Sequence, residues 1–85
     1  MISCRYVIST NHGLHAANAM SLSRAASDYQ CKITLESAKG VADCKNVLSL
    51  MSLGANQGES LILTADGPDE KLAMGYLSGI LRTIL

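Results

Sequence analysis

The sequence predicts an α+β fold in which three helices cover one side of a four-stranded sheet. Segments with alternating apolar and polar residues, typical of half-buried strands, are interleaved with segments whose apolar residues recur every three or four positions, typical of helices. Their order along the chain is β-α-β-β-α-β-α, which suits a two-layer sandwich. No repeat, linker or low-complexity segment interrupts the 85 residues. This length is enough for one core, so we expect residues 1–85 to form a single domain.

Four segments are predicted to form strands because their apolar residues alternate or cluster in short runs. These segments are residues 2–9, 31–37, 41–44 and 59–66. In the first two, alternation marks the side chains that are expected to face the core, namely Ile2, Cys4, Tyr6, Ile8, Cys31, Ile33 and Leu35. The segment 38–40, between the second and third strands, is predicted to be a turn.

Three segments are predicted to form helices. The first begins at Ala16 and ends near Tyr29, the second spans residues 45–54 and ends at a glycine, and the third has Pro68 in its first turn. The expected core face of the first helix consists of Ala16, Ala19, Met20, Ala26 and Tyr29, flanked by Leu22 and Ala25. The apolar stripe of the third helix is the clearest of the three and consists of Leu72, Ala73, Tyr76, Leu77, Ile80, Leu81 and Ile84.

The composition excludes several classes of function. Seven basic and seven acidic residues give a net charge of zero, and the chain has no Phe or Trp, so nucleic-acid binding is not expected. No apolar run is long enough to span a membrane. The three cysteines lack the paired spacing of disulfide or zinc sites and indicate reduced thiols in a cytoplasmic protein. No P-loop or serine-nucleophile motif is present, and no cofactor is expected.

The stretch NHGLHAANA places His15 immediately before the first predicted helix. The first amides of a helix lack partners within it, and the helix dipole favours negative charge there, so the N–H groups of Ala16 and Ala17 are candidate anion ligands. A phosphoryl group on the His15 ring would lie beside them, and Gly13 gives the loop the freedom to place that ring. The alternative interpretation of His15 is a helix cap or a solvated loop residue. His12 raises the further alternative of a two-histidine metal site, but no Asp, Glu or Cys stands nearby, and no metal is expected.

The second predicted helix is apolar around most of its circumference, which is more than one buried face requires. Its apolar residues are Val47, Leu48, Leu50, Met51 and Leu53. Some of them are expected to be exposed and to form a protein-binding surface, for which the flexible Met51 side chain is well suited. The alternative is a short helix that the core surrounds on most sides.

These features together resemble the HPr family, the histidine phosphocarriers of the bacterial phosphoenolpyruvate-dependent sugar phosphotransferase system. GLHA resembles the active-site signature of this family, and CKNVLSLMSLGANQGESLILTADGPDE resembles its second signature. The resemblance extends over essentially the whole chain. It implies an open-faced β-sandwich, in which an antiparallel four-stranded sheet of order 1-4-2-3 carries three helices on one face.

The resemblance also implies a function. His15 would accept a phosphoryl group on Nδ1 from enzyme I, which is charged by phosphoenolpyruvate, and would pass it to an enzyme IIA. The positions that face these partner proteins in the family correspond to Met20, Arg24, Val47, Leu48 and Met51. Such a protein is a stoichiometric phosphoryl carrier rather than a turnover enzyme, and we expect it to act as a monomer in the cytoplasm.

The chain departs from the family pattern at three positions. The active-site signature continues past GLHA with Arg and Pro, where this chain has Ala17 and Asn18. In the family the arginine pairs with the phosphoryl group, so its loss is expected to slow transfer, and a protonated His12 would supply a substitute cation. A serine that a dedicated kinase phosphorylates in many Gram-positive members is replaced by Asn46, so no control by that route is expected.

Two functions are consistent with this pattern. His15 and Gly13 favour a phosphocarrier, whereas Ala17, Asn18 and Asn46 favour a phosphorylation-poor regulatory paralogue that uses the same surface only to bind proteins. An unrelated α+β domain is a third alternative. The histidine at the start of the helix leads us to expect the carrier.

Overall fold

The computed structural model describes all of residues 1–85 and has the predicted order of elements. The strands are β1 (Ile2–Val7), β2 (Lys32–Ser37), β3 (Gly40–Asp43) and β4 (Ser60–Asp66), and the helices are α1 (Ala16–Ala26), α2 (Val47–Ser52) and α3 (Glu70–Ile84). Apart from the end of α1 and the start of α3, these limits lie close to the predicted ones, within the range by which helix and strand ends ordinarily differ between definitions.

The four strands form one antiparallel sheet in the order β1-β4-β2-β3, which confirms the order implied by the family resemblance. The register on one side of β4 runs from Ile2 opposite Ala65 to Val7 opposite Ser60. Because β1 and β4 are antiparallel, the chain leaves them at opposite ends of the sheet. Helices α1 and α3, which follow these two strands, therefore begin at opposite ends of the molecule.

The core lies between the sheet and the helices and is almost entirely aliphatic. Alternate residues of the two central strands are fully buried, as alternation predicts, and these are Ile33, Leu35, Leu61, Leu63 and Ala65. Along β1, an edge strand, Ile2, Cys4 and Tyr6 are only half-buried, while Ile8 just beyond the strand is fully buried. The predicted inward face of β1 is thereby confirmed.

The buried face of α1 differs from the predicted one. The residues of α1 that pack into the apolar core are Ala19, Leu22, Ala25 and Ala26. Ala16 and Met20, which were expected to face the core, are exposed. An alanine-rich helix has small residues on several sides, so its periodicity fits two neighbouring faces. The helix also ends at Ala26 rather than near Tyr29, because the amide of Tyr29 donates to the carbonyl of Ala26 and tightens the chain into a turn.

Helix α3 begins later than predicted, and part of its predicted stripe is exposed. Asp69 is the residue that precedes the first turn, so Pro68 lies outside the helix. The buried residues of α3 are Ala73, Met74, Leu77 and Leu81. Leu72 and Tyr76 are exposed instead, because the apolar surface of this helix is wider than the face that the sheet covers. No helix of the structure combines the length and apolar character that crossing a membrane requires.

Candidate active site

His15 occupies the N-cap position of α1, directly before the first helical residue, where the sequence places it. Its backbone is extended, with φ −117° and ψ 179°, and its carbonyl accepts the first helical hydrogen bond, from the N–H of Ala19 over 2.9 Å. The side chain is exposed, and so are Ala16 and Ala17 behind it. The first turn carries no acidic residue. The positive end of the helix dipole and the first amides of α1 are therefore open to an anion beside the imidazole.

At Gly13, the loop before α1 comes into close backbone contact with the segment that follows α2. Its φ is +63°, and a Cβ at this position would lie 2.3 Å from the carbonyl oxygen of Ala55. The next amide, that of Leu14, donates to the same carbonyl over 2.9 Å. Only glycine combines this backbone conformation with so close an approach. The loop that contains His15 is thus held in place by Ala55, which lies about 40 residues away in sequence.

Asn18 holds the same loop from the helix side, a role that the sequence did not reveal. Its Oδ1 accepts a hydrogen bond from the backbone N–H of His15 over 2.8 Å, and its Nδ2 donates to the carbonyl of Gly13 over 2.9 Å. The N–H of Asn18 faces the His15 side chain in return, without a hydrogen bond between them. A signal was present, because the third helical residue is where a capping box places a side-chain acceptor, although glutamate or glutamine is the usual residue.

His12 lies beside His15. The centroids of the two rings are 6.0 Å apart and the ring planes are nearly perpendicular, at 88°. Both side chains are exposed. The structure thus brings together the two histidines that the sequence singled out. It contains no group of three or more His, Cys, Asp or Glu side chains that could hold a metal ion.

Large apolar side chains are exposed on both α1 and α2, two helices that contact each other. We call them the exposed apolar patch and define it by Met20 (50% exposed), Leu48 (77%) and Met51 (42%). Val47 is half-buried beside them. On α1, Met20 and the exposed Arg24 follow Ala16 at intervals of four residues, so these side chains share the helix face that begins next to His15. The expectation that part of α2 is exposed is confirmed, since only Leu50 of that helix is buried.

Asn46 caps the N-terminus of α2. Its Oδ1 accepts a hydrogen bond from the N–H of Ser49 over 3.2 Å, and its backbone is extended, as is typical of a capping residue. The hydroxyl of Ser49 in turn accepts from the N–H of Asp43 over 2.9 Å. The side chain at the position of the regulatory serine of the family is therefore an amide that stabilises the helix start.

The cysteines are not part of this site. Cys31 and Cys44 are buried and Cys4 is half-buried, and none forms a disulfide. Burial raises the pKa of the Cys44 thiol to about 12, with a smaller contribution from the nearby Asp43 carboxylate. A thiol that stays protonated in the core is a packing group rather than a nucleophile.

Comparison with known families gives matches over almost the whole chain. A family model named PTS-HPr, for the phosphorylation site of the HPr component of the phosphotransferase system, matches residues 2–83. The chain is 28% identical over 83 residues to the phosphocarrier protein HPr of Borreliella burgdorferi, an alignment that covers 98% of this chain and 96% of that protein. It is 31% identical over 77 residues to the HPr of Haemophilus influenzae, with 91% of each chain covered.

The fold is likewise similar to that of a solved HPr structure. The structure of HPr from Thermoanaerobacter tengcongensis superimposes with a TM-score of 0.90 at 30% sequence identity, and the alignment covers 98% of this chain and 93% of that one. The sequence match and the structural match therefore agree over almost the full length of the chain.

Proposed function

The chain belongs to the HPr family of the bacterial phosphotransferase system, and on that premise we propose that it carries a phosphoryl group on His15. In the proposed reaction the lone pair of Nδ1 attacks phosphorus, a nitrogen–phosphorus bond forms, and the bond from phosphorus to the donor protein breaks. The donor would be enzyme I and the acceptor an enzyme IIA. The second transfer removes the phosphoryl group and returns His15 to its free form. Each protein molecule therefore carries one phosphoryl group at a time, as a stoichiometric carrier.

The observation that carries this proposal is the position of His15 at an open helix N-terminus. The imidazole is exposed to a partner protein, and the amides of Ala16 and Ala17 follow it directly in the first turn. Amides at a helix start donate to phosphoryl oxygens, and the dipole favours their negative charge.

His12 is the residue that we propose as a partial substitute for the missing arginine of the family signature. A charge-assisted hydrogen bond to a phosphoryl group is worth about 1.5–3 kcal/mol, so Ala17 is expected to slow transfer by about 10- to 100-fold relative to arginine. When protonated, the His12 ring, 6.0 Å from that of His15, places a positive charge near the phosphoryl group. Its exposure to solvent limits the compensation.

The exposed apolar patch is the surface that we propose for docking enzyme I and enzyme IIA. Met20, Leu48 and Met51 form its apolar part, Val47 borders it, and Arg24 lies at its edge on α1. Apolar patches rimmed by polar residues are typical of protein interfaces, and methionine adapts to partners of different shape. A carrier that presents one such face to successive partners is expected to act as a monomer, and the cytoplasm is where we expect it to meet them.

The test is phosphorylation by the natural donor pathway. The purified protein is mixed with phosphoenolpyruvate and enzyme I from the same organism, and its intact mass is measured under mildly basic conditions. We expect the mass of one phosphoryl group to be added, and we expect the addition to vanish in His15→Ala. If an ordinary HPr of the host is charged in the same tube while this protein is not, the carrier function is wrong and the patch serves protein binding alone.

A further inference from the structure

The side chain of Asn18 is one of only two buried polar side chains in the protein. It is 6% exposed, and both ends of its amide group are occupied, by the N–H of His15 at 2.8 Å and by the carbonyl of Gly13 at 2.9 Å. A buried amide with both partners in place holds its neighbours firmly, because breaking either bond leaves a polar group without a partner. Asn18 therefore joins the first turn of α1 to both ends of the segment Gly13–His15.

This segment is attached to the rest of the fold in two places. Gly13 lies against the carbonyl of Ala55, which also accepts from the amide of Leu14. Asn18 is part of the helix whose first amides are proposed to bind the phosphoryl group. The hydrogen bond from the N–H of His15 to Asn18 therefore adds a side-chain constraint to the backbone bond from Ala19 to the carbonyl of His15, and together they fix the backbone of His15 relative to those amides.

We propose that Asn18 is a positioning residue for phosphoryl transfer, which keeps the His15 ring in register with the amides of Ala16 and Ala17. This inference rests on the proposed function of His15. The HPr signature has proline at this position, and proline offers neither a side-chain donor nor an acceptor. With Ala17 in place of the arginine, the backbone amides carry most of the stabilisation of the phosphoryl oxygens. A ring displaced from those amides loses that stabilisation, and displacements of about 1 Å cost up to about 100-fold in rate.

The experiment compares Asn18→Ala with a matched control, Ser23→Ala. Ser23 is the other buried polar residue and lies farther along the same helix, away from the site. Phosphoryl transfer from charged enzyme I is measured at varied carrier concentration. For Asn18→Ala we expect kcat to fall about 10- to 100-fold while KM for the carrier changes less than about twofold, since the docking patch is intact. Ser23→Ala is expected to keep both constants near the wild-type values.

A second variant tests why the side chain at position 18 has to be neutral. Asn18→Asp keeps an acceptor for the N–H of His15 but replaces the donor to Gly13 with an oxygen and adds a negative charge at the start of the helix. We expect its kcat to fall at least as far as that of Asn18→Ala, because the new charge repels the phosphoryl group. The free energy of unfolding of Asn18→Ala, Asn18→Asp and Ser23→Ala is measured by urea denaturation. This measurement identifies any loss of kcat that is caused only by unfolding.

A small-molecule donor tests the positioning role without enzyme I. Phosphoramidate transfers its phosphoryl group to histidine and releases ammonia, so it charges His15 without docking. In the wild type we expect charging to shift the amide proton signals of Ala16 and Ala17 strongly in NMR spectra, and in Asn18→Ala we expect at most half of that shift. Equal amide shifts, or an unchanged kcat in folded Asn18→Ala, would overturn the inference while leaving the carrier function intact. A wild type that phosphoramidate charges but enzyme I does not would contradict the carrier function, and the amide shifts would still decide the role of Asn18.

Discussion

The two long helices of this protein begin in opposite electrostatic environments. The start of α3 carries Asp69 and Glu70, and both carboxylates are engaged. Asp69 accepts hydrogen bonds from the amides of Gln30 and Cys31 over 2.8 and 2.9 Å, and Glu70 accepts from the amide of Gly67 over 3.1 Å and lies 2.8 Å from the amino group of Met1. The start of α1 has no acidic residue and is held by the neutral amide of Asn18.

This difference fits the separate roles that we propose for the two helix ends. Carboxylates near the start of α3 complement the helix dipole and tie three segments of chain together. The same arrangement at the start of α1 would occupy the positive end of the dipole and repel a phosphoryl group. A neutral side chain that uses both its donor and its acceptor fixes the loop without introducing that repulsion. The two carboxylates thus stand at the helix start for which no phosphoryl-binding role is proposed.

Of the changes that test this difference between the two helix starts, a change of charge at position 17 is expected to alter the phosphorylation rate most. Ala17 is exposed, so Ala17→Arg is expected to fold normally and to raise the rate of phosphoryl acceptance from enzyme I by about 10- to 100-fold, since a charge-assisted hydrogen bond contributes about 1.5–3 kcal/mol. The measurement is the initial rate of mass addition at limiting enzyme I.

The opposite substitution is the control for that gain. Ala17→Glu gives α1 the acidic first turn that α3 has, so it is expected to stabilise the helix slightly and to slow phosphorylation. A rate that rises equally in both variants would show that helix stability, and not charge, limits the transfer.

Gly13→Ala is expected to lower the free energy of unfolding by about 1–3 kcal/mol, because the residue would be forced into a left-handed conformation. The added Cβ would also meet the carbonyl of Ala55, so the loop is expected to shift and phosphorylation to slow. Urea denaturation followed by circular dichroism measures the first effect. Gly75→Ala is the matched control: a Cβ there meets nothing within 4 Å, and alanine favours the interior of α3, so no loss is expected.

The acidic start of α3 is expected to make stability depend on pH. The hydrogen bond from Gln30 lowers the pKa of Asp69 below its ordinary 3.8, and the amino group of Met1 lowers the pKa of Glu70 below its ordinary 4.5. Groups with a lowered pKa in the folded state stabilise it above the ordinary value and lose that contribution as the pH falls through the lowered one. The urea midpoint is therefore expected to decrease below about pH 4.5, and less steeply in Asp69→Asn. If the urea midpoint of Asp69→Asn decreased with pH as steeply as that of the wild type, Asp69 would not contribute to the pH dependence of stability.

The smallest effect is expected from His12→Ser. An exposed charge interaction is worth about 0.2–1 kcal/mol, so removal of the exposed His12 ring should slow phosphorylation by about 1.5- to 5-fold. The measurement is the ratio of the initial phosphorylation rates of the two proteins under identical conditions. A ratio of one would exclude His12 as a substitute cation.

The sequence predicted the element order and the position of His15 because both depend on local patterns. Alternation over a few residues defines a strand, and apolar residues spaced three and four apart from Ala16 onward define the helix that His15 precedes. The faces of the helices were predicted less well. Met20, Leu72 and Tyr76 are exposed although they fit an apolar stripe, since periodicity does not show how wide a face the sheet covers.

The support of the site was only partly within reach of sequence reasoning: the bond between Asn18 and His15 is local, but the bond to Gly13 is not. Asn18 bonds to Gly13, five residues back, across a turn whose path depends on Ala55 far along the chain. From the sequence alone, Asn18 was only a departure from a family signature. Only the folded chain shows that its buried amide has a partner at each end, the N–H of His15 and the carbonyl of Gly13.

The close contact of Gly13 with the carbonyl of Ala55 has a consequence for how such sequences can diverge. An insertion or deletion on either side of this contact would move the loop before α1 relative to the segment after α2, and the other side would have to change by a matching amount. In an alignment of close relatives of this chain, the lengths of these two connections are therefore expected to change together or not at all, whereas the turn between β2 and β3 is free to vary alone.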